Sequence, residues 1–235
     1  MMKIEISNIY KSFNKKNVLD GVSLIIPDKK STVILGKSGC GKSVLLKIIY
    51  QLLLQDSGLI KYDSKEDVNI NKFSMLFQYS ALFDSLTIWE NIAFQSINEK
   101  SDSIKNIKEK VIMNMESLGL SGDNFYKYPS ELSGGMKKRV ALGRALFKKP
   151  SVIFLDEPTT GLDPVNSALI NDLIVKTVKE KGITAITITH DIKSAIKTGD
   201  IFYYLENGIA EVSGKCNDIF QTQNEKLNYF LRGEI

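Results

Sequence analysis

Residues 36–43 read Gly-Lys-Ser-Gly-Cys-Gly-Lys-Ser. Glycines at Gly36, Gly39 and Gly41 let a backbone fold tightly around phosphate oxygens. The amides of Lys37, Ser38 and Cys40, with the N-terminus of a following helix, supply positive potential. The segment fits G-x-x-x-x-G-K-[ST] throughout. It follows an apolar run, "STVILG", and opens "SVLLKIIYQLLL", which reads as a helix. That is the strand–loop–helix setting the motif requires. Lys42 is expected to reach the β- and γ-phosphates of a nucleotide, and Ser43 to bind Mg2+. An ordinary glycine turn capping a helix would have no need of the lysine and the serine together.

A second set of groups lies over 110 residues on. "VIFLDEP" is an apolar run that ends in Asp156 and Glu157. A buried strand presenting a carboxylate at its C-terminal end places it where ligands bind in an open α/β sheet. Asp156 is the expected Mg2+ partner, and Glu157 is placed to act as general base on an attacking water. The single histidine, His190, ends another apolar run, "ITAITITH". On the same sheet edge, a neutral imidazole is a hydrogen-bonding group for the γ-phosphate or the attacking water. A third stretch, "LSGGM" at Leu132–Met136, opens a helix with Ser133, Gly134 and Gly135 and so offers a second anion cradle.

The elements that position these groups follow from patterning. "KIEISNIY" alternates as a half-buried strand does, and "VSLII", "STVILG", "LIKY" and "KFSMLF" are further strands. From about Ala81 to Lys149 the strand signals stop. "TIWENIAF", "SIKNIKEKVIMNMESLGL" and "GGMKKRVALGRALFKK" read as helices. Strands return with "SVIFLD", "ITAITIT" and "IFYYL", and Asn207-Gly208 inside "IFYYLENGIAEVS" marks a hairpin. The tail, Asn217–Leu231, is weakly helical. The fold class is α/β, with a mostly parallel core sheet, an antiparallel β side sheet and an inserted α-helical subdomain. The whole of 1–235 forms one domain, with its core in 1–80 and 150–235 and the helical subdomain at about 81–149. In the third helix Met136, Val140, Gly143 and Phe147 recur at helical spacing and face the core, which leaves Lys137, Lys138, Lys148 and Lys149 on the solvated side; contact with lipid headgroups or a partner is the alternative.

Composition bounds the partners. The 235 residues are 43% hydrophobic and 25% charged, with a net charge of +4. That balance, without a basic stripe interleaved with aromatics, gives no reason to expect nucleic acid. Two cysteines, Cys40 and Cys216, stand far apart, one of them inside the phosphate loop. A disulfide there would cripple the loop, so a reducing, cytosolic compartment is expected. "MMKIEISN" lacks the apolar run of a signal peptide. "VLLKIIYQLLL" is too short to span a bilayer and holds Lys47.

Taken together, the phosphate loop, Gln78 in "LFQ", "LSGGM", "VIFLDE", "TGLDP" at Thr160–Pro164 and His190 resemble the ATP-binding subunit of an ABC transporter over nearly the whole chain. The resemblance implies a P-loop NTPase of the ABC ATPase type that binds ATP with Mg2+ and hydrolyses it. It also implies a homodimer packed head to tail, in which each ATP lies between the phosphate loop of one chain and Ser133, Gly134 and Gly135 of the other. Phe13 matches the aromatic that stacks on adenine; a core aromatic, with Tyr10 taking the stacking role, is the competing reading. Gln78 resembles the glutamine that touches Mg2+ and water and senses the transmembrane partner. Asp163 matches the residue that communicates across the dimer. Val44 stands in the ATP-binding loop where threonine is frequent, and Met136 stands where many members carry glutamine.

Residues 77–94, "FQYSALFDSLTIWENIAF", with "LSGGM", look like the ATPase of Mla-type (Mce-linked) phospholipid transporters. That implies an integral-membrane permease docked near Gln78 to Phe94, an Mce-type lipid-binding protein as a further partner, and a place on the cytoplasmic face of the inner (plasma) membrane. Leu82, Phe83, Leu86, Ile88 and Trp89 are read equally as an apolar docking face or as core. An ATPase of an amino-acid or other small-solute importer is the runner-up, followed by a cell-division-type ABC ATPase. The tail beyond Glu211 is either a contact with the neighbouring subunit or surface helix.

Overall fold

In "KIEISNIY" the inward residues are Ile4, Ile6 and Ile9, which is not a strict alternation. Asn8 takes a left-handed conformation (φ 52°), and the pairing slips between Ile6 and Ile9. This bulge returns Ile9 to the buried face, as an extra residue in one strand does. A computed structural model describes residues 2–63 and 69–233; the expected domain limits at 1 and 235 lie outside them.

In chain order the elements begin with β1 (Ile4–Phe13), β2 (Lys16–Ile26), β3 (Ser31–Leu35), α1 (Lys42–Ile49), β4 (Ser57–Tyr62) and β5 (Phe73–Leu76). Then come α2 (Ile88–Asn98), α3 (Ile104–Ser117) and α4 (Gly134–Phe147) with no strand among them. The chain finishes with β6 (Val152–Asp156), α5 (Pro164–Lys181), β7 (Thr184–Thr189), α6 (Ile192–Thr198), β8 (Ile201–Glu206), β9 (Ile209–Lys215) and α7 (Glu225–Arg232). The strands form a six-stranded sheet in the order β5-β6-β7-β3-β8-β9 and a three-stranded sheet in the order β2-β1-β4. The larger sheet is parallel except for the β8–β9 hairpin at Asn207-Gly208; the smaller is antiparallel.

Every residue of β3, β6 and β7 is buried, because helices or the second sheet cover both faces of a central parallel strand. Tyr50, Tyr62, Phe73 and Phe154 interlock between the layers. The three consecutive helices pack around Ile92, Ile107, Val111, Met115, Val140 and Leu146, in a cluster that continues into Leu155 of β6 and Ile170 and Ile174 of α5. Trp89 stacks on Phe125 there (centroids 5.8 Å apart, planes within 5°), and Lys108 Nζ lies 4.7 Å over the indole.

Helix ends follow the sequence. Glu90 accepts from the Thr87 N–H (2.8 Å), one arm of a capping box at the start of α2. The long helix α5 has Asp163 at its N-cap, Pro164 in its first turn and Gly182 (φ 58°) after its last, each suited to its place. The sequence reading did not single out α5 or α6. The apolar residues of α5 are not confined to its buried stripe of Ile170, Ile174 and Val178, since Val165 and Leu169 are exposed, and α6 is short, so neither carries a clear helical period.

Candidate functional site

Strand pairing brings the distant motifs to one edge. Leu76 of β5 pairs with Leu155 of β6, so Gln78 and Glu157 each lie two residues beyond the same rung. Asp156 pairs with Ile188 of β7, and His190 lies two residues on. Thr189 pairs with Leu35 of β3, which runs directly into Gly36. Four adjacent parallel strands thus deliver Gln78, the two carboxylates, the imidazole and the phosphate loop to the C-terminal edge of the sheet.

The loop itself is closely held. Gly41 caps α1 with φ 105°, and a Cβ there would meet Val18 O and Leu19 Cδ2 at 2.8 Å. Only glycine meets both demands. Lys42 is buried, and its Nζ donates to the carbonyls of Gly36 (2.7 Å) and Lys37 (2.9 Å), so the ammonium lies inside the loop. Burial pushes the half-buried Cys40 thiol up, partly opposed by the Lys42 charge. Both cysteines are free thiols.

Ser43 Oγ donates to Asp156 Oδ1 at 3.5 Å. Burial raises the Asp156 carboxyl, and the neighbouring Glu157 charge raises it further. A hydroxyl and a carboxylate converging in a buried, negatively biased spot form a hard oxygen donor set, which fits Mg2+.

Glu157 has an unusual backbone, left-handed at φ 47°. Its N–H donates to Ile188 O (3.0 Å). Its carboxylate accepts from Thr160 Oγ1 (2.9 Å) and lies 2.9 Å from His190 Nδ1. With its proton on Nδ1, the imidazole donates to that carboxylate. The Glu157 side chain is 11% exposed against 52% for His190, so the histidine is the open member of the pair. Strain of this kind persists where the surroundings over-determine it, commonly at a working site.

"LSGGM" stands apart from this centre. Ser133 is exposed and caps α4, accepting from Met136 N at 3.3 Å. Gly135 is buried because a Cβ would overlap the side chain of Asn166, which Asp163 holds through an amide donating to its Oδ2 (2.5 Å). The second glycine therefore also has a reason within its own chain. Among the described residues, no hydrogen bond joins Ser133, Gly134 or Gly135 to the phosphate loop. Phe13, 43% exposed, sits at the turn between β1 and β2, with Lys11 Nζ 5.4 Å from its ring. Tyr10, 41% exposed, lies with its hydroxyl against Gly21. Gln78 is half-buried, and its carbonyl accepts from Lys138.

Lys138 corrects the sequence reading. It is 5% exposed and not on a solvated face, whereas Lys148 and Lys149 are exposed as expected. The signal was present: Gly135, Lys138, Leu142 and Ala145 are spaced three, four and three apart, one buried stripe of the helix. Ile88 and Trp89 belong to the core, while Phe83 is exposed at the surface. Thr160, which steadies Glu157, lay inside "TGLDP", and Val18, which abuts Gly41, carried no sequence signal.

A six-stranded, mostly parallel sheet with a phosphate loop at its edge, an antiparallel side sheet and a helical subdomain define a P-loop ATPase. Residues 19–160 match the family model described as ABC transporter. The chain is 33% identical to the intermembrane phospholipid transport system ATP-binding protein MlaF of Haemophilus influenzae, over 98% of this chain and 90% of that one. It is 32% identical to the sulfate/thiosulfate import ATP-binding protein CysA of Pseudomonas syringae pv. tomato, over 99% of this chain and 73% of that one. Its backbone is similar to a dimeric post-hydrolysis state of the ATP-binding cassette MJ0796 bound to ADP and Pi, with TM-score 0.82 and 29% identity, covering 91% of this chain and 98% of that one. The chain belongs to the ABC transporter family and is its ATP-hydrolysing type of subunit.

Proposed function

We propose that two copies of this chain close head to tail around two ATP molecules and drive a membrane permease that moves phospholipid between membranes. The observation that carries the dimer is the separation of the two cradles. The phosphate loop is complete within the chain, whereas Ser133 and Gly134 face outward at the start of α4. A second copy turned by a two-fold axis presents that helix start to the first copy's nucleotide.

In this reading Gly36 to Ser43 and Val44 hold the phosphates, Lys42 neutralises their charge and Phe13 stacks on adenine. Glu157 takes a proton from the attacking water while His190 and Thr160 hold its carboxylate in place. Ser43, Asp156 and Gln78 would hold Mg2+, which when bound neutralises charge developing on the phosphates. Asp163, through Asn166, links Gly135 to the start of α5. Product release reopens the pair.

The permease reading rests on a cleft of about 480 Å³ beside Gln78, between β5, α2 and α4, lined by Tyr50, Phe77, Phe83, Phe94, Arg144 and Phe147. No helix among the described residues is long and apolar enough to cross a membrane; in this reading a partner permease supplies the pathway. The working place is then the cytoplasmic face of the inner membrane, with an Mce-type lipid-binding protein as a further component.

The likeness to MlaF supports phospholipid as cargo; the near-equal likeness to CysA favours a second reading, a small-solute importer. A tagged pull-down from solubilised native membranes, with mass spectrometry of proteins and lipids, separates them. A small permease, an Mce-type protein and enriched phospholipid are expected. A solute permease without enriched lipid overturns the cargo, and division proteins in place of any permease overturn transport.

A further inference from the structure

Lys138 is a buried cation that the ATPase reading above does not use. Its ammonium donates to two backbone carbonyls from opposite sides of the site: Gln78 at the end of β5, and Glu157, at 3.3 Å, at the end of β6. A lysine has three N–H donors, so one side chain can satisfy both carbonyls. Six residues along the same helix, Arg144 donates through Nη1 to Ala81 O (2.7 Å) and through Nη2 to Ser80 O (2.8 Å).

Three of the four gripped residues share a property. Ser80 (φ 64°), Ala81 (φ 48°) and Glu157 (φ 47°) are all left-handed without being glycine. Such conformations are held by their surroundings rather than by preference. Here the surroundings include two cations of one helix, α4, the helix capped by Ser133. The Gln78 segment and the base-bearing strand end are therefore both tied to α4, and among the described residues Lys138 is the one side chain that hydrogen-bonds to both.

We infer that Lys138 is a positioning residue for hydrolysis. Its ammonium clamps the Gln78 and Glu157 carbonyls together, so that the orientation of the Glu157 carboxylate follows α4. The inference rests on Glu157 being the general base. An apolar side chain of equal length would take the Lys138 donor from the Gln78 carbonyl and leave the Glu157 carbonyl only the Thr160 N–H (3.3 Å) among the described residues, which loosens the hold on Glu157's strained conformation. ATP would still bind, since Lys138 does not contact the phosphate loop in any described hydrogen bond.

The test compares Lys138→Met, Lys138→Arg and Glu157→Gln in the full chain. Expected for Lys138→Met is a fall in kcat of about 10- to 100-fold, the scale of a misplaced catalytic group, with KM for ATP within about twofold. Lys138→Arg, which keeps charge and donors, should recover most of that loss. Amide exchange at Tyr79–Ala81 should rise in the Met variant without any fall in ATP affinity. Lys138→Met in the Glu157→Gln background should cost nothing further. Lys138→Gln, a shorter donor, serves if the Met variant does not fold, with an intermediate loss expected. Unchanged kcat, or kcat, ATP affinity and melting temperature falling in parallel with no rescue by Arg, overturns the positioning role. Full hydrolysis by Glu157→Gln overturns the base assignment instead, so the two failures are distinguishable.

Discussion

The phosphate loop and the Leu132–Met136 loop are both glycine-rich starts of helices, yet the chain treats them differently. At Gly36–Ser43 the lysine bends into the loop, the thiol is half-buried and Gly41 is walled by β2. At Ser133–Gly135 the serine spends its oxygen on its own helix and stays exposed, and only Gly135 is packed, against Asn166. One loop is finished by its own sheet. The other is supported from behind and open in front, which is how half of a shared site is built.

Breaking each half separately tests that contrast most strongly. Lys42→Ala should abolish nucleotide binding by each chain, while Ser133→Arg should leave binding by the lone chain intact and stop hydrolysis. Mixing the two inactive variants should restore about a quarter of wild-type activity, because a mixed pair keeps one intact composite site. A mixture that stays inactive would mean the halves do not meet between chains. Glu157→Gln should lower hydrolysis by about 10²- to 10⁴-fold, the scale of general-base loss. With ATP it should accumulate as a dimer on gel filtration, and a strictly monomeric variant would count against closure.

Smaller effects sharpen the phosphate-loop side. Phe13→Ala should weaken ATP binding by about tenfold (~1.4 kcal/mol), the low end for a base–aromatic stack. Tyr10→Ala with the larger effect would reassign the stacking residue. Cys40 offers a pH test. Burial raises its thiol, so little thiolate exists near neutrality and alkylation should quicken about tenfold per pH unit as pH rises. Nucleotide should slow it. Cys216, buried and pushed up to about 12, should stay unlabelled and act as an internal control. A Cys40 rate that levels off below pH 8, or labelling indifferent to ATP, would contradict the packing described for the loop.

Much of this was legible because it is local. The phosphate loop, the carboxylates after "VIFL" and the hairpin at Asn207-Gly208 depend on residues within a few positions of one another, and parallel pairing then aligns their ends without further information. The inaccessible parts depend on phase or on distant partners. Lys138 looked solvated because a lysine between two other cationic residues is usually exposed; the two carbonyls that justify its burial lie 60 and 19 residues away. The packing of Asn166 behind Gly135 and of Val18 against Gly41 arises only when separate elements meet. The bulge at Asn8 was hidden because the run on either side of it still alternates.

The stacked pair of Trp89 and Phe125 has a practical use. Trp89 is the only tryptophan in the chain, and it lies in the core of the helical subdomain, under Lys108. Its emission therefore reports on the packing around Phe125 and Lys108 in that subdomain. Indole fluorescence thus follows the environment around α2, whereas the nine tyrosines are spread over both the sheets and the helical part. If ATP turns the helical subdomain against the sheet, the change will be readable in unlabelled protein, in real time, without any engineered probe.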